Sequence, residues 1–232
     1  MRRTIAVLGL SVFGHRTALG LADAPDIDVV VFDRDEEVID RIAPHVARAV
    51  IADIRDTDVI EAEGAENWWA AVLAMRKRFD TSVLLTHFLK NKIKVPRLIV
   101  QVDSRDEEEA LRVLGADQTV FPERDTANSL VATLARPGLT QFVDLGPDVD
   151  MGEHRVPAAF VGKNLRELKL RDTFGLHVVA IRHGAPGEGH PSQTAKTEVP
   201  PDPDSKLTAS DRFFLIGSPR ALRRFMDRFS NE

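Results

Sequence analysis

The sequence predicts an α/β chain in two parts. A doubly wound parallel sheet is expected over residues 1–136 and a small α+β domain over 137–232. Three observations lead there. Six short apolar runs alternate with helical stretches through the first 135 or so residues, the pattern of parallel strands buried on both faces. A glycine-rich loop, GLSVFG at 9–14, joins the first run to the first helix. After Pro137-Gly138 the runs become short and are separated by turns.

TIAVLG (4–9) reads as the first buried strand, with a helix from Phe13 to about Ala22. DVVVFD (28–33) is the second, and Val38, Ile39 and Ile42 mark one face of the next helix. ARAVIAD (47–53) is the third, and a short helix through Val59 and Ile60 leads to AAVLAM (70–75). A helix carrying Val83, Leu84 and Phe88 should stop before Pro96. PRLIVQV (96–102) is the fifth strand, EEEALRVLGAD a helix closed by Gly115, and QTVF (118–121) the sixth strand. A last helix of this part is expected from about Asp125 to Ala135. Right-handed crossovers between such strands favour the doubly wound arrangement.

In the second part QFVDLG and HRVPAAFVG are strand candidates, and LRELKLRDTFG holds a short helix. LHVVAIRHG (176–184) and RFFLIG (212–217) are further strands. The proline- and glycine-dense run from Ala185 to Ser205 should be mostly loop. In the final helix Leu222, Phe225, Met226 and Phe229 share a face suited to packing on a sheet.

Bulk properties narrow the function. With 31 basic and 36 acidic residues the net charge is −5, which argues against nonspecific attraction to nucleic acid or anionic membranes. No cysteine is present, so disulfides, thiolate nucleophiles and zinc–thiolate sites are excluded. The N-terminal apolar run is too short for a membrane span, and a cytoplasmic location fits best.

The loop GLSVFG is close to a Rossmann dinucleotide fingerprint. Gly9 and Gly14 take the tight-turn and helix-packing positions, while Ser11 replaces the middle glycine and offers a hydroxyl to a phosphate. Asp33 ends the second strand, 19 residues beyond Gly14, where a carboxylate accepts ribose hydroxyls and repels a 2′-phosphate. Asp53 ends the third strand and should face the same crevice. The competing reading is an empty cleft whose glycines serve packing alone.

No catalytic constellation stands out. His183, Glu188 and His190 could be drawn as a metal cluster, but they lie in a glycine- and proline-rich loop without rigid support and read as solvated. Asp103, Asp106 and Glu107 to Glu109 read as an N-cap and acidic first turn. A minimal NAD-dependent oxidoreductase is the main alternative, and it needs a lysine, histidine or tyrosine at the cleft. A nucleotide-sensing regulator of some other membrane ion transporter is a further alternative.

The chain resembles the soluble regulatory subunits of Trk/Ktr potassium transport systems, which carry an RCK (regulator of potassium conductance) domain. IAVLGLSVFG, VFD ending at Asp33, AVIADIRD through Asp53, GADQTVFPERDTANSLVATL and KNLRELKLRDTFGLHVVAIRHG carry the likeness. The resemblance implies an adenine nucleotide (ATP, ADP, or NAD/NADH) in the N-terminal part. It implies cyclic di-AMP in the C-terminal part of some members. It also implies dimers assembled into an octameric ring on a membrane-embedded potassium-translocating subunit, with no enzymatic turnover and a place at the inner face of the membrane.

The implied cofactor-binding positions are Gly9, Ser11, Val12, Phe13 and Gly14, then Asp33 and Arg34, Asp53 and Ile54, Met75 and Arg76, and Glu123. Glu123 matches a glutamate that works beside the phosphates or an associated divalent cation. The family commonly has arginine where this chain has Val12, glycine at Arg76 and lysine near Gln101. Arg76, leaving the fourth strand, is the best placed replacement donor for the phosphates, and the competing reading is a solvated surface charge at a helix start.

Overall fold

The computed structural model describes residues 2–135, 139–184 and 196–229. The chain forms two compact units, Met1–Glu123 and Arg124–Glu232. The expected boundary at 136/137 lies outside the described residues.

In the first unit β1 (Arg3–Leu8), β2 (Ile27–Asp33), β3 (Arg48–Ile51), β4 (Ala70–Leu73), β5 (Arg97–Gln101) and β6 (Gln118–Val120) form one parallel sheet. Its order is β3-β2-β1-β4-β5-β6, so the direction of winding reverses between β1 and β4. The connections carry α1 (Val12–Ala22), α2 (Glu36–Ile42), α3 (Thr57–Ala62), α4 (Phe79–His87) and α5 (Arg105–Val113).

Alternation along the strands feeds two cores. Ala6, Leu8, Val30, Phe32, Ala71 and Leu73 pack on one face with Trp68, Leu85, Leu89 and Leu111. Val7, Val29, Val31 and Val72 pack on the other with Ala18, Ile39 and Ile42. Every strand residue of β4 is buried, the signature of a sheet covered on both sides. The fourth helix outlasts its α-helical part. A π-helical turn spans Phe88–Ile93, and Lys94 in the left-handed region (φ 65°) ends it before Pro96 does.

The helix expected from Asp125 begins earlier, as α6 (Pro122–Leu134), because proline is favoured at the first helical position. In the second unit β7 (Leu139–Asp144), β8 (Asp150–Arg155), β9 (His177–Arg182), β10 (Thr197–Glu198) and β11 (Arg212–Gly217) form an antiparallel sheet ordered β10-β9-β11-β8-β7. The strand expected in HRVPAAFVG is displaced upstream. Pro157 lacks a donor for the ladder, and Ala158–Phe160 form a 3-10 turn instead. Helices α7 (Leu165–Leu168), α8 (Leu170–Phe174) and α9 (Pro219–Phe229) complete the unit. Phe225 of α9 sits among Phe160, Phe174 and Phe213 at ring separations of 6.0, 5.3 and 6.1 Å.

Two histidines of this unit titrate in opposite senses. His154 is buried beside Phe225 and donates Nδ1–H to the Arg155 carbonyl at 2.6 Å, and burial lowers its pKa. His183 bridges Glu198 on β10, at 3.1 Å, and Asp211 before β11, at 3.2 Å. Glu198 first, then Asp211, raise the His183 pKa above its ordinary 6.5. A raised folded-state pKa stabilises fully below the unfolded value and loses that contribution as pH rises through the folded one. Above about pH 6.5, where His154 no longer adds a slope, the melting temperature of the second unit is therefore expected to fall. Scanning calorimetry of His183→Gln beside the parent checks this. The fall should be absent in the variant, and an identical slope would contradict the assignment. Glu188 and His190 lie outside the described residues.

Candidate functional site

An open cleft of about 230 Å³ lies at the carboxyl ends of β1 to β4, at the reversal of strand order. The loop after β1 contributes Gly9, Leu10 and Ser11, and the end of β2 contributes Asp33 and Arg34. The loop after β3 contributes Ala52, Asp53 and Ile54, and that after β4 contributes Ala74, Met75, Arg76 and Arg78. Eight of the twelve sequence-predicted positions thus line one cleft.

The glycines are required by contact. Gly9 has φ +88°, and a Cβ there would meet Met75 Cγ at 2.8 Å and the Ala74 carbonyl oxygen at 3.0 Å. At Gly14 a Cβ would fall 2.3 Å from the Gly9 carbonyl oxygen and 2.7 Å from Ala74 Cβ. Helix α1 therefore crosses the loop at glycine contact distance. Neither Gly14, Val12 nor Phe13 lines the cleft. Val12 is 84% exposed at the first position of α1, and Phe13 packs into the core beneath that helix.

Ser11 is committed to structure. Its Oγ accepts the Gly14 N–H at 3.3 Å as the cap of α1 and donates to Gln101 Oε1 at 3.2 Å. The expected donation to a phosphate would need this proton redirected. Gln101, 2% exposed at the end of β5, keeps an Nε2 without a hydrogen-bond partner.

Asp33 does two things at once. Oδ2 accepts the Leu10 N–H at 2.6 Å and Oδ1 accepts the Asp35 N–H at 3.1 Å, so the carboxylate braces the glycine loop from β2. A carboxylate has about four acceptor sites, so two such bonds leave capacity for ribose hydroxyls. Asp53 is held by Arg55, whose Nε lies 3.0 and 3.1 Å from its two oxygens. That guanidinium, and the more distant Arg78, hold the Asp53 carboxyl well below the usual carboxylate range.

The loop after β4 is pinned by a residue assigned otherwise from sequence. Asp103 is not an N-cap, since Ser104 accepts the Glu107 N–H and caps α5. Asp103 Oδ2 instead accepts the Lys77 N–H at 2.9 Å. Lys77 sits in the left-handed region at φ 54°, and the turn brings both Arg76 and Arg78 to the cleft. Glu123, in the first turn of α6, pairs with Arg76 (Nε to Oε1 3.2 Å). Leu10, Ala52, Ala74 and Arg78 were not anticipated as lining. The flanking positions of the strand ends predict the first three, and two-residue spacing from Arg76 predicts Arg78.

Two domain families match the chain. The TrkA-N domain matches residues 5–122 and the TrkA-C domain matches 151–230. This chain belongs to the TrkA-N/TrkA-C family. Ktr system potassium uptake protein C of Bacillus subtilis (strain 168) is 26% identical over 228 residues, covering 98% of each chain. Ktr system potassium uptake protein A of the same organism is 22% identical, covering 96% of this chain and 95% of its own. Among solved structures, the GsuK channel bound to NAD superposes with a TM-score of 0.51 at 19% identity. That match covers 99% of this chain and 38% of the channel chain, and it shows a shared fold.

Among the described residues no helix is long and apolar enough to cross a membrane. Among the described residues no group of three or more histidine, aspartate and glutamate side chains is arranged to hold a metal ion. Glu123, the expected divalent-cation ligand, faces the Arg76 guanidinium.

Proposed function

We propose that this TrkA-N/TrkA-C chain is the nucleotide-sensing regulatory subunit of a potassium uptake system. It acts at the inner face of the membrane through a membrane-embedded potassium-translocating partner. The observation that carries this is the cleft itself, a close-packed glycine loop flanked by the strand-end carboxylates Asp33 and Asp53, in a chain that aligns end to end with potassium-uptake proteins. In this reading Asp33 accepts ribose hydroxyls, Asp53 lies on the adenine side, and the α1 N-terminus and Arg76 meet the phosphates. ADP, ATP and NAD share the adenosine moiety that these groups address. A cleft of this size suits part of such a ligand, with the remainder lying over its open side.

An oxidoreductase is disfavoured by the lining. Among the described residues, the cleft presents no lysine, histidine or tyrosine to act as acid or base. The second unit is assigned to dimerisation within a ring, an octamer by the resemblance, and to cyclic di-AMP as a second ligand.

Potassium uptake tests the reading. A strain lacking this chain should take up potassium more slowly at limiting concentration, and uptake should lose its response to cellular ATP and ADP. Restoring the chain should return both. Unchanged uptake with the nucleotide response intact would refute it.

A further inference from the structure

Arg76, which lines the cleft, pairs with Glu123, which does not. Arg76 Nε lies 3.2 Å from Glu123 Oε1, with both side chains about half exposed. Arg76 lines the cleft, whereas Glu123 belongs to the first turn of α6. Asp103 fixes the backbone one residue beyond Arg76, through the Lys77 N–H, so the guanidinium swings from an anchored base. We propose that a nucleotide phosphate and Glu123 compete for Arg76, so that phosphate occupancy is registered at the start of α6. This rests on the nucleotide reading above and specifies how that site senses phosphate.

The argument is electrostatic. A phosphate drawn onto this guanidinium comes within a few ångströms of the Glu123 carboxylate, and two like charges on one partly exposed cation repel. The weaker partner must yield. An exposed pair of single charges contributes little, whereas a phosphate carries more charge and matches the guanidinium fork. Glu123 can leave at small cost, because a carboxylate in the first turn of a helix is favoured by the helix dipole without Arg76. The carboxylate released is the one that begins α6, the helix that runs out of the first unit.

Calorimetry in the presence of a chelator tests this on the full chain, titrating adenosine, ADP and ATP into the parent, Glu123→Gln, Arg76→Ala and the double variant. Both side chains are exposed, and circular dichroism confirms that each variant is folded. Competition predicts that Glu123→Gln binds ADP and ATP roughly two- to five-fold more tightly than the parent, as expected for removal of an exposed pair. Adenosine affinity should not change, and the gain should vanish in the Arg76→Ala background. Weaker or equal nucleotide binding by Glu123→Gln overturns the proposal. So does a gain of the same size without Arg76, which would be general charge removal. A parent that binds adenosine and ADP equally overturns the competition but leaves the adenosine site standing. A parent that binds neither overturns both.

Discussion

Valine at Gly14 should cost the first unit about 3 kcal/mol and abolish nucleotide binding. Its Cβ would fall 2.3 Å from the Gly9 carbonyl oxygen and 2.7 Å from Ala74 Cβ. Neither neighbour can step aside. One is the backbone of the binding loop, and the other is fully buried immediately after β4. Overpacking of a tight site costs about 1–3 kcal/mol, and a clash with backbone belongs at the top of that range. Relief would come by lifting α1 off the sheet, which breaks the Ser11 cap and moves the loop away from Asp33. Gly20, on the same helix, is the internal control. Nothing lies within 4 Å of a Cβ there, so Gly20→Ala should stabilise by about 0.5–1 kcal/mol through helix propensity. Both tryptophans, Trp68 and Trp69, belong to the first unit, so their fluorescence during urea unfolding reads it alone. Equal stability of Gly14→Val and the parent would contradict the packing account.

The second large effect is expected at Arg182. Its Nη1 lies 2.6 Å from Oε1 of Glu153, a carboxylate 2% exposed in β8, and the guanidinium covers the ring of Phe214 at 4.9 Å. Removing one partner of a buried pair leaves a charge without its counter-ion and costs about 3–5 kcal/mol. Arg212 Nη1, 3.9 Å from the other Glu153 oxygen, remains as partial compensation. Arg182→Met should therefore destabilise the second unit by about 3 kcal/mol. Pairing it with Glu153→Leu should recover part of the loss, because the buried carboxylate is gone while Arg212 gives up only a 3.9 Å contact with it. Scanning calorimetry of the two variants checks both statements. A double variant less stable than Arg182→Met would contradict them.

Much of the first unit was legible because parallel strands advertise themselves as unbroken apolar runs, and each run ends where a ligand-facing loop begins. Asp33 and Asp53 could be placed at the cleft from strand ends alone. What local pattern could not supply was direction and partner. Asp33 bracing Leu10 depends on how closely two neighbouring loops approach, which no spacing within either loop encodes. Asp103 and Ser104 are both good helix caps. The choice between them was made by Lys77, 26 residues upstream in the chain. Ser11 looked available to a phosphate because its cap bond and its bond to Gln101, 90 residues away, are invisible in sequence. In the second unit, Pro157 moved a strand upstream, a breaker signal readable in HRVPAAFVG and outweighed there by its apolar content.

The central claim is that this cleft holds adenosine through Asp33. Calorimetric titration of ADP into the parent and into Asp33→Ala tests it most directly, with Asp33→Asn included because an amide oxygen can still accept the Leu10 N–H. Saturable binding by the parent is predicted, weakened in Asp33→Ala by about 1.5–3 kcal/mol, roughly ten- to more than a hundred-fold. Asp33→Asn should lose affinity while keeping the Leu10 brace through its one acceptor oxygen, at a modest cost in stability because its NH2 replaces the acceptor of the Asp35 N–H. Parental affinity in both variants, or no ADP binding by the parent, would contradict the account.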